Sequence, residues 1–198
     1  LNKELDKQLC ERYPHIFKHR NASITYSLMG FGFEVGDGWF NLIDGLCRTI
    51  SNHVDGARKQ CARTIRYNRA IVRAQRGDLA GLRYHYSIVD EDGVRFVPDW
   101  AEATIKRDLQ NPTLRALQPA MPHVRATQVK EKFGGLRFYV NGADEYVYGA
   151  ISMAESMSYR TCEVCGSPGK VYRDGWFTTL CPTHAAEQNR SDLVVEDE

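Results

Sequence analysis

Residues 162–184 read CEVCGSPGKVYRDGWFTTLCPTH, and the placing of sulfur and imidazole in this stretch decides how the end of the chain folds. Cys162 and Cys165 are separated by two residues, a gap that lets a tight turn aim both thiolates at one ion. After fifteen intervening residues, Cys181-Pro-Thr-His184 repeats the gap. Three thiolates and an imidazole in two such pairs suit tetrahedral zinc better than magnesium, calcium or a redox centre. Between the pairs, Gly166-Ser-Pro-Gly169 reads as a knuckle turn. Lys170–Arg173 and Trp176–Leu180 read as a hairpin around Asp174-Gly175. Pro182 suits the first turn of a closing helix, where its missing N–H is no loss. Knuckle, hairpin, then two ligands at a helix start is the order of a treble-clef zinc module.

A redox dithiol would have no use for the second pair. A catalytic zinc keeps one position open for water, whereas four protein ligands close the tetrahedron. Metal-dependent finger nucleases add a His/Asp set between the ligand pairs, and this interval has no histidine and only Asp174 as an aspartate. The stretch therefore reads as a structural zinc staple with Cys162, Cys165, Cys181 and His184 as ligands.

Working back from the staple, Val147, Ile151, Ala154 and Ser158 recur on one face of a helix from about Asp144 to Tyr159. Before it, Val124–Lys132 and Leu136–Val140 read as a hairpin around Phe133-Gly134-Gly135. A further hairpin is expected where Leu82, Tyr84, Tyr86 and Ile88 alternate with polar residues, turn at Asp90-Glu91-Asp92-Gly93 and return as Val94–Val97. Asp99, with Glu102 three residues on, has the spacing of a capping box. Prolines at 112, 119 and 122 indicate loop and short helical turns. Near the N-terminus, residues 2–11 read as a short helix, and Phe31, Phe33 and Val35 alternate as a short strand. Asp37 stands where it would cap the next helix. That helix has the clearest period in the chain, through Trp39, Ile43, Leu46, Ile50, Val54, Ala57, Cys61 and Ile65. It extends to about residue 76, with Gly56 marking where a bend would fall. The expected class is α+β: a helical N-terminal part with two β-hairpins, then a small treble-clef-like zinc module. By character the chain divides into an α+β domain with a basic helix (1–143), a helix plus zinc module (144–190) and a disordered acidic tail (191–198).

The long helix carries a second signal. Arg58, Lys59, Arg63, Arg66, Arg69, Arg73 and Arg76 are its only charged residues after Ala57. At about 100° per residue they fall within an arc of about 140°, with Ala57, Cys61, Ile65, Ile71 and Val72 opposite. Like charges at this spacing repel, so folding alone gives little reason to collect them. A polyanion would offset the repulsion, since guanidinium forks match phosphate oxygens. The competing readings are a solvated face neutralised by acidic loops such as Asp90-Glu91-Asp92, and an interface with an acidic protein. A membrane surface fits less well, because the opposite side lacks bulky aromatics.

The remaining candidates are weaker. Lys130-Glu-Lys132-Phe-Gly134-Gly135-Leu-Arg137 joins cations to a glycine turn that could offer N–H groups to a phosphate, although a plain hairpin tip explains it as well. Glu34, Asp37, His53 and His85 could serve acid–base chemistry, but their spacing does not require it.

The apolar fraction (42%) is enough for a core, and the net charge of +1 excludes a global pull toward polyanions, so any electrostatic function rests on local clustering. No apolar run approaches the ~20 residues of a membrane span, and the charged first residues lack a signal-peptide core. Of the six cysteines, Cys10, Cys47 and Cys61 are scattered through helical patterns as buried small hydrophobes. The absence of a disulfide framework favours a reducing cytoplasm.

Three stretches carry a resemblance: Gly32-Phe-Glu-Val-Gly-Asp-Gly-Trp-Phe40, Gln128-Val-Lys-Glu-Lys-Phe-Gly-Gly-Leu-Arg-Phe-Tyr139, and the closing Cys-x-x-Cys…Cys-x-x-His. In these the chain resembles a group of small, uncharacterised zinc-binding proteins borne by bacteriophages and prophages. The likeness covers about half the chain, and residues from about 58 to 127 look like an expansion. It implies an accessory protein acting in the cytoplasm of a bacterial host, in the handling of host defences, and brings no catalytic residue with it. The expected function is a non-catalytic, zinc-stabilised binding protein that contacts nucleic acid or another polyanion. The alternatives are a module inhibiting a host enzyme through an acidic groove, and an enzyme acting on nucleic acid with acidic residues near Glu34 and Asp37.

Overall fold

A computed structural model describes residues 1–190 of the chain. In chain order the elements are helix α1 (Lys3–Arg12), strand β1 (Phe33–Glu34), helix α2 (Phe40–Ala74), helix α3 (Ala80–Tyr86), strands β2 (Ile88–Val89) and β3 (Arg95–Phe96), and helix α4 (Asp99–Gln110). Strands β4 (Arg125–Lys132) and β5 (Gly135–Asn141), helix α5 (Glu145–Ser158), strands β6 (Lys170–Tyr172) and β7 (Thr178–Leu180), and helix α6 (Pro182–Glu187) complete it. The class is α+β, with one long helix and small sheets. By packing, residues 1–54 group with residues 122–190, and Asp55–Met121 forms a second unit. The division at residue 143 remains one of sequence character; packing groups the chain differently. The tail expected from Ser191 lies outside the described residues.

In the first unit, β1 runs parallel to β4, pairing Phe33 with Val129 and Glu34 with Lys130, and β4 pairs antiparallel with β5. Alternation along β4 and β5 buries Ala126, Val129, Leu136 and Phe138, and Phe17 and Phe33 meet edge to face at 4.8 Å beside them. The face of α5 read from sequence is the buried one: Val147, Ile151, Ala154 and Ser158. Its first turn is capped by Asp144, whose carboxylate accepts the Val147 N–H at 3.0 Å, satisfying one of the donors a helix start leaves unpaired. At the other end the Ser158 hydroxyl accepts the Leu136 N–H at 2.8 Å and so ties α5 to β5. Ile43, Leu46, Cys47 and Ile50 supply the core from α2, with Trp39 from the turn just before it.

Two local expectations fail here. The chain forms a 3-10 turn at Leu28–Phe31, closed by Gly32 at φ +88°, so the strand shrinks to Phe33–Glu34 and Phe31 is exposed. Asp37 heads a second 3-10 turn, Asp37–Trp39, and caps nothing. Its carboxylate instead accepts the backbone and side-chain N–H groups of Asn2, each at 2.7 Å, and this draws its pKa below the usual value.

In the second unit, Tyr67, Ala70, Ile71, Ala74, Leu82 and Ile105 form the core, with Leu79, Tyr86 and Leu109 packed on it. The expected strand from Leu82 is helix α3. Over seven residues an alternating pattern is also compatible with a helix: Leu82 and Tyr86 are one turn apart and face the core, while Tyr84 points out, 62% exposed. Gly81 permits the close approach, since a Cβ there would lie 2.9 Å from that of Ala70. The hairpin survives as the two-residue pair β2–β3. At α4 the cap position belongs to Pro98 without a side-chain bond; Asp99 and Glu102 lie in the first turn, where their charge opposes the helix dipole. Residues 112–124 form neither helix nor strand, so the expected helical turns are absent there. Helix α2 is uninterrupted at Gly56. No described helix is long and apolar enough to cross a membrane.

Candidate metal centre and cationic face

Cys162, Cys165, Cys181 and His184 converge, their ligand atoms all within 4.8 Å of one another. The Cys165 and Cys181 sulfurs are 3.8 Å apart, and the His184 Nδ1 lies 3.5 Å from the Cys162 sulfur and 3.2 Å from that of Cys181. A tetrahedron with bonds of about 2.3 Å to sulfur and 2.05 Å to nitrogen has S···S edges of about 3.8 Å and S···N edges of about 3.6 Å. The donor set thus has the size and softness to hold a tetrahedral metal ion, and its sulfurs are too far apart for a disulfide. With Nδ1 turned inward, His184 Nε2 points outward and lies 3.8 Å from the Glu187 carboxylate.

Local sequence builds this arrangement. Gly166 adopts φ +78°, a left-handed conformation that glycine takes without strain, and its N–H donates to the Cys162 carbonyl at 2.8 Å to close the knuckle. Strands β6 and β7 return the chain, and Pro182 starts α6 with His184 in it. Hydrogen bonds from Ser167 pull the Cys165 thiol down to about 6, and the His184 N–H lowers that of Cys181. Burial pushes the Cys162 thiol up, a penalty on its thiolate that a bound cation would remove.

The Gly36–Trp39 segment packs directly on the knuckle. The Gly36 N–H donates to the Glu163 carboxylate at 2.8 Å, the Gly38 N–H to the Glu163 carbonyl at 2.8 Å, and the Trp39 indole N–H to the Thr161 carbonyl at 2.7 Å. Trp39 is fully buried. The stretch around Gly32–Phe40 is thus a brace for the metal centre. Its Gly-x-Gly-Trp pattern was the available signal, because glycines flanking a large aromatic suit a close backbone approach; the sequence could not say to what.

The other candidate residues are not brought to one site. Glu34 accepts from Gln128 at 3.3 Å, and His53 meets the Asp144 carboxylate at 2.7 Å while stacking on Tyr146. At the tip between β4 and β5, the Gly134 N–H already donates to the Glu131 carboxylate at 2.6 Å, so the turn is a self-satisfied hairpin tip. Lys130 and Arg137 face each other across the strands, with Arg137 donating to the Tyr159 hydroxyl at 2.6 Å.

In the second unit Arg58, Lys59, Arg63, Arg66, Arg69 and Arg73 of α2 are all exposed, as is Arg76, which falls in the turn after the helix ends at Ala74, short of the expected residue 76. The buried side is Cys61, Thr64, Tyr67, Ala70, Ile71 and Ala74. Ile65 is only half-buried and Val72 is exposed, so the apolar face is rotated from the one read in sequence. None of the seven forms an ion pair with a described residue; Arg58 donates to the Met121 carbonyl at 3.1 Å. Sequence reading missed two cations: Arg115, stacked 3.6 Å above the Tyr67 ring, and Arg95, stacked 4.7 Å from the Tyr84 ring. Only tertiary packing brings them to this surface. Comparison with protein-family models, curated proteins and solved structures finds no match to the chain.

Proposed function

We propose that the chain is a non-catalytic, zinc-stabilised binding protein that grips nucleic acid through its phosphate backbone along the basic face of α2. The observation that carries this reading is the row of seven exposed cations with no carboxylate partner among the described residues. Three acidic groups of the same unit are engaged elsewhere. Asp90 accepts the Val94 N–H at 2.8 Å in its own turn, Glu102 pairs with Arg83 at 3.0 Å, and Asp108 accepts the Tyr67 and Tyr86 hydroxyls. An unneutralised arginine row gains most from a polyanion, whose condensed counterions it releases. The contacts are to phosphates, so they position without reading sequence.

On this reading the metal is zinc and its role is structural, in a module of the treble-clef kind with Cys162, Cys165, Cys181 and His184 as ligands. When bound, zinc would supply cross-linking and no chemistry, since four protein ligands close its shell. The resemblance to phage-borne proteins would put the binding in a bacterial cytoplasm.

Fluorescence anisotropy with duplex and single-stranded oligonucleotides across a salt series tests the proposal. Binding is expected to weaken steeply with salt, and replacing Arg66 and Arg73 together by alanine is expected to lower the log–log slope by about 2, close to one unit per lost phosphate contact. Absence of binding at about 50 mM salt, where such contacts are strong, overturns it.

A further inference from the structure

Two of the arginines on α2 do more than line a surface. Arg63 and Arg66 share a recess of about 280 Å³ with Gly81, Tyr84 and His85 of α3, with Ser87, and with Arg95 of β3. Three of its seven lining residues are guanidinium-bearing and none is acidic. Neither Arg63, Arg66 nor Arg95 forms an ion pair with a described residue. A concave wall concentrates the field of its charges, so three cations here repel more than the same three spread along a helix.

The recess is also organised. The Arg95 guanidinium stacks 4.7 Å from the Tyr84 ring and donates to the Ser87 hydroxyl at 2.9 Å, and that hydroxyl donates to the Tyr84 carbonyl at 2.8 Å. Arg95 is thereby oriented before any ligand arrives, and less of its freedom remains to be lost on binding. The His85 ring is packed against the rings of Tyr67 and Tyr86 at 5.0 and 4.8 Å. Burial, and then Arg115, Arg63 and Arg66, hold it below its ordinary pKa against the opposing pull of Asp108.

We propose that this recess seats a phosphate monoester, with Arg63, Arg66 and Arg95 as its charged donors. The inference rests on reading α2 as a phosphate-binding face and names the one place on it built for a terminal phosphate. A backbone diester carries one charge and must pass through its site in two directions. A monoester carries close to two charges, ends where it binds, and is better matched to three converging guanidinium groups. The volume lies at the small end of ligand cavities, which suits a single phosphoryl group and the start of whatever carries it. Two sources share this chemistry, a free nucleotide and the phosphorylated end of a strand.

The test uses the full chain and four probes: an oligonucleotide with a 5′-phosphate, the same oligonucleotide with a 5′-hydroxyl, adenosine monophosphate, and inorganic phosphate. The expected result is about tenfold tighter binding of the phosphorylated strand, the gain of one charge-assisted contact set. Arg95→Ala is expected to abolish that difference, while weakening the 5′-hydroxyl strand no more than the loss of any one cation of the face does. Arg73→Ala, outside the recess, should weaken both strands equally. Arg95 is on an exposed two-residue strand, and circular dichroism of the variant, with an Arg95→Lys variant that restores part of the difference, separates ligand loss from misfolding. Binding of adenosine monophosphate and phosphate without either strand, lost in Arg95→Ala, would uphold the recess and remove the wider reading of α2. Equal binding of the two strands, with neither small probe bound, would overturn the recess and leave that wider reading standing.

Discussion

A methyl group placed on Gly38 would lie 2.3 Å from the Cys162 carbonyl oxygen, 2.4 Å from the Gly166 nitrogen and 2.6 Å from the Cys165 nitrogen. All three are backbone atoms of the knuckle, and none can yield without moving a ligand. Gly38→Ala is therefore expected to destabilise the protein by about 1–3 kcal/mol through overpacking. It should also speed metal loss to a chelator, measured by thermal melts and a metal-indicator competition assay. Gly56→Ala is the contrast: nothing lies within 4 Å of its would-be Cβ, and alanine in the middle of a helix should add up to about 1 kcal/mol. At this scale the four ligands were legible in sequence because their chemistry is local and their spacing is short. Gly36, Gly38 and Trp39 were legible only as a turn, because what they touch lies more than a hundred residues away.

Among the elements, α1, α2, α5 and the β4–β5 hairpin follow from hydrophobic period, each having length enough to separate a period of two from one of 3.6. Helix α3 does not, since seven residues with apolar positions at 82, 84 and 86 fit either. Its identity is set by what it packs on, including the pair of phenols that Tyr67 of α2 and Tyr86 of α3 donate to one oxygen of Asp108, at 3.0 and 2.6 Å. Burial first, and then Asp108, raise both phenols above their ordinary pKa. The folded state thus holds these protons more tightly than the unfolded one. The contribution is full below the unfolded value of about 10 and is lost as pH climbs from there toward the folded values. Tyrosinate absorbance followed alongside circular dichroism should show the second unit losing structure above about pH 10. Tyr86→Phe should be less stable by about 1–2 kcal/mol at neutral pH and show a shallower alkaline loss.

For the molecule as a whole, a metal ion held by the Cys3His cluster would supply what its neighbourhood lacks in apolar mass. The core there comprises Cys162, Tyr172, Leu180, Cys181 and Ala185, so two of its five members belong to the candidate ligand set. Recombinant protein is expected to carry one zinc per chain by elemental analysis. Chelation, or Cys181→Ser, should lower the melting temperature by an amount matching a loss of several kcal/mol. The second unit has its own core of Tyr67, Ala70, Ile71, Ala74, Leu82 and Ile105, so helical signal from residues 55–121 should outlast the metal.

The brace between Trp39 and Thr161 spans 122 residues, and that between Gly36 and Glu163 spans 127. A ribosome releases the first partner long before the second exists, so the indole must wait in water or in provisional company while the intervening chain emerges. Contacts of such long range fold late and slowly. Capture of a metal ion by the Cys162, Cys165, Cys181 and His184 cluster would need only residues 162–184 and could precede them, which would make that loop a finished surface on which the Gly36–Trp39 segment settles.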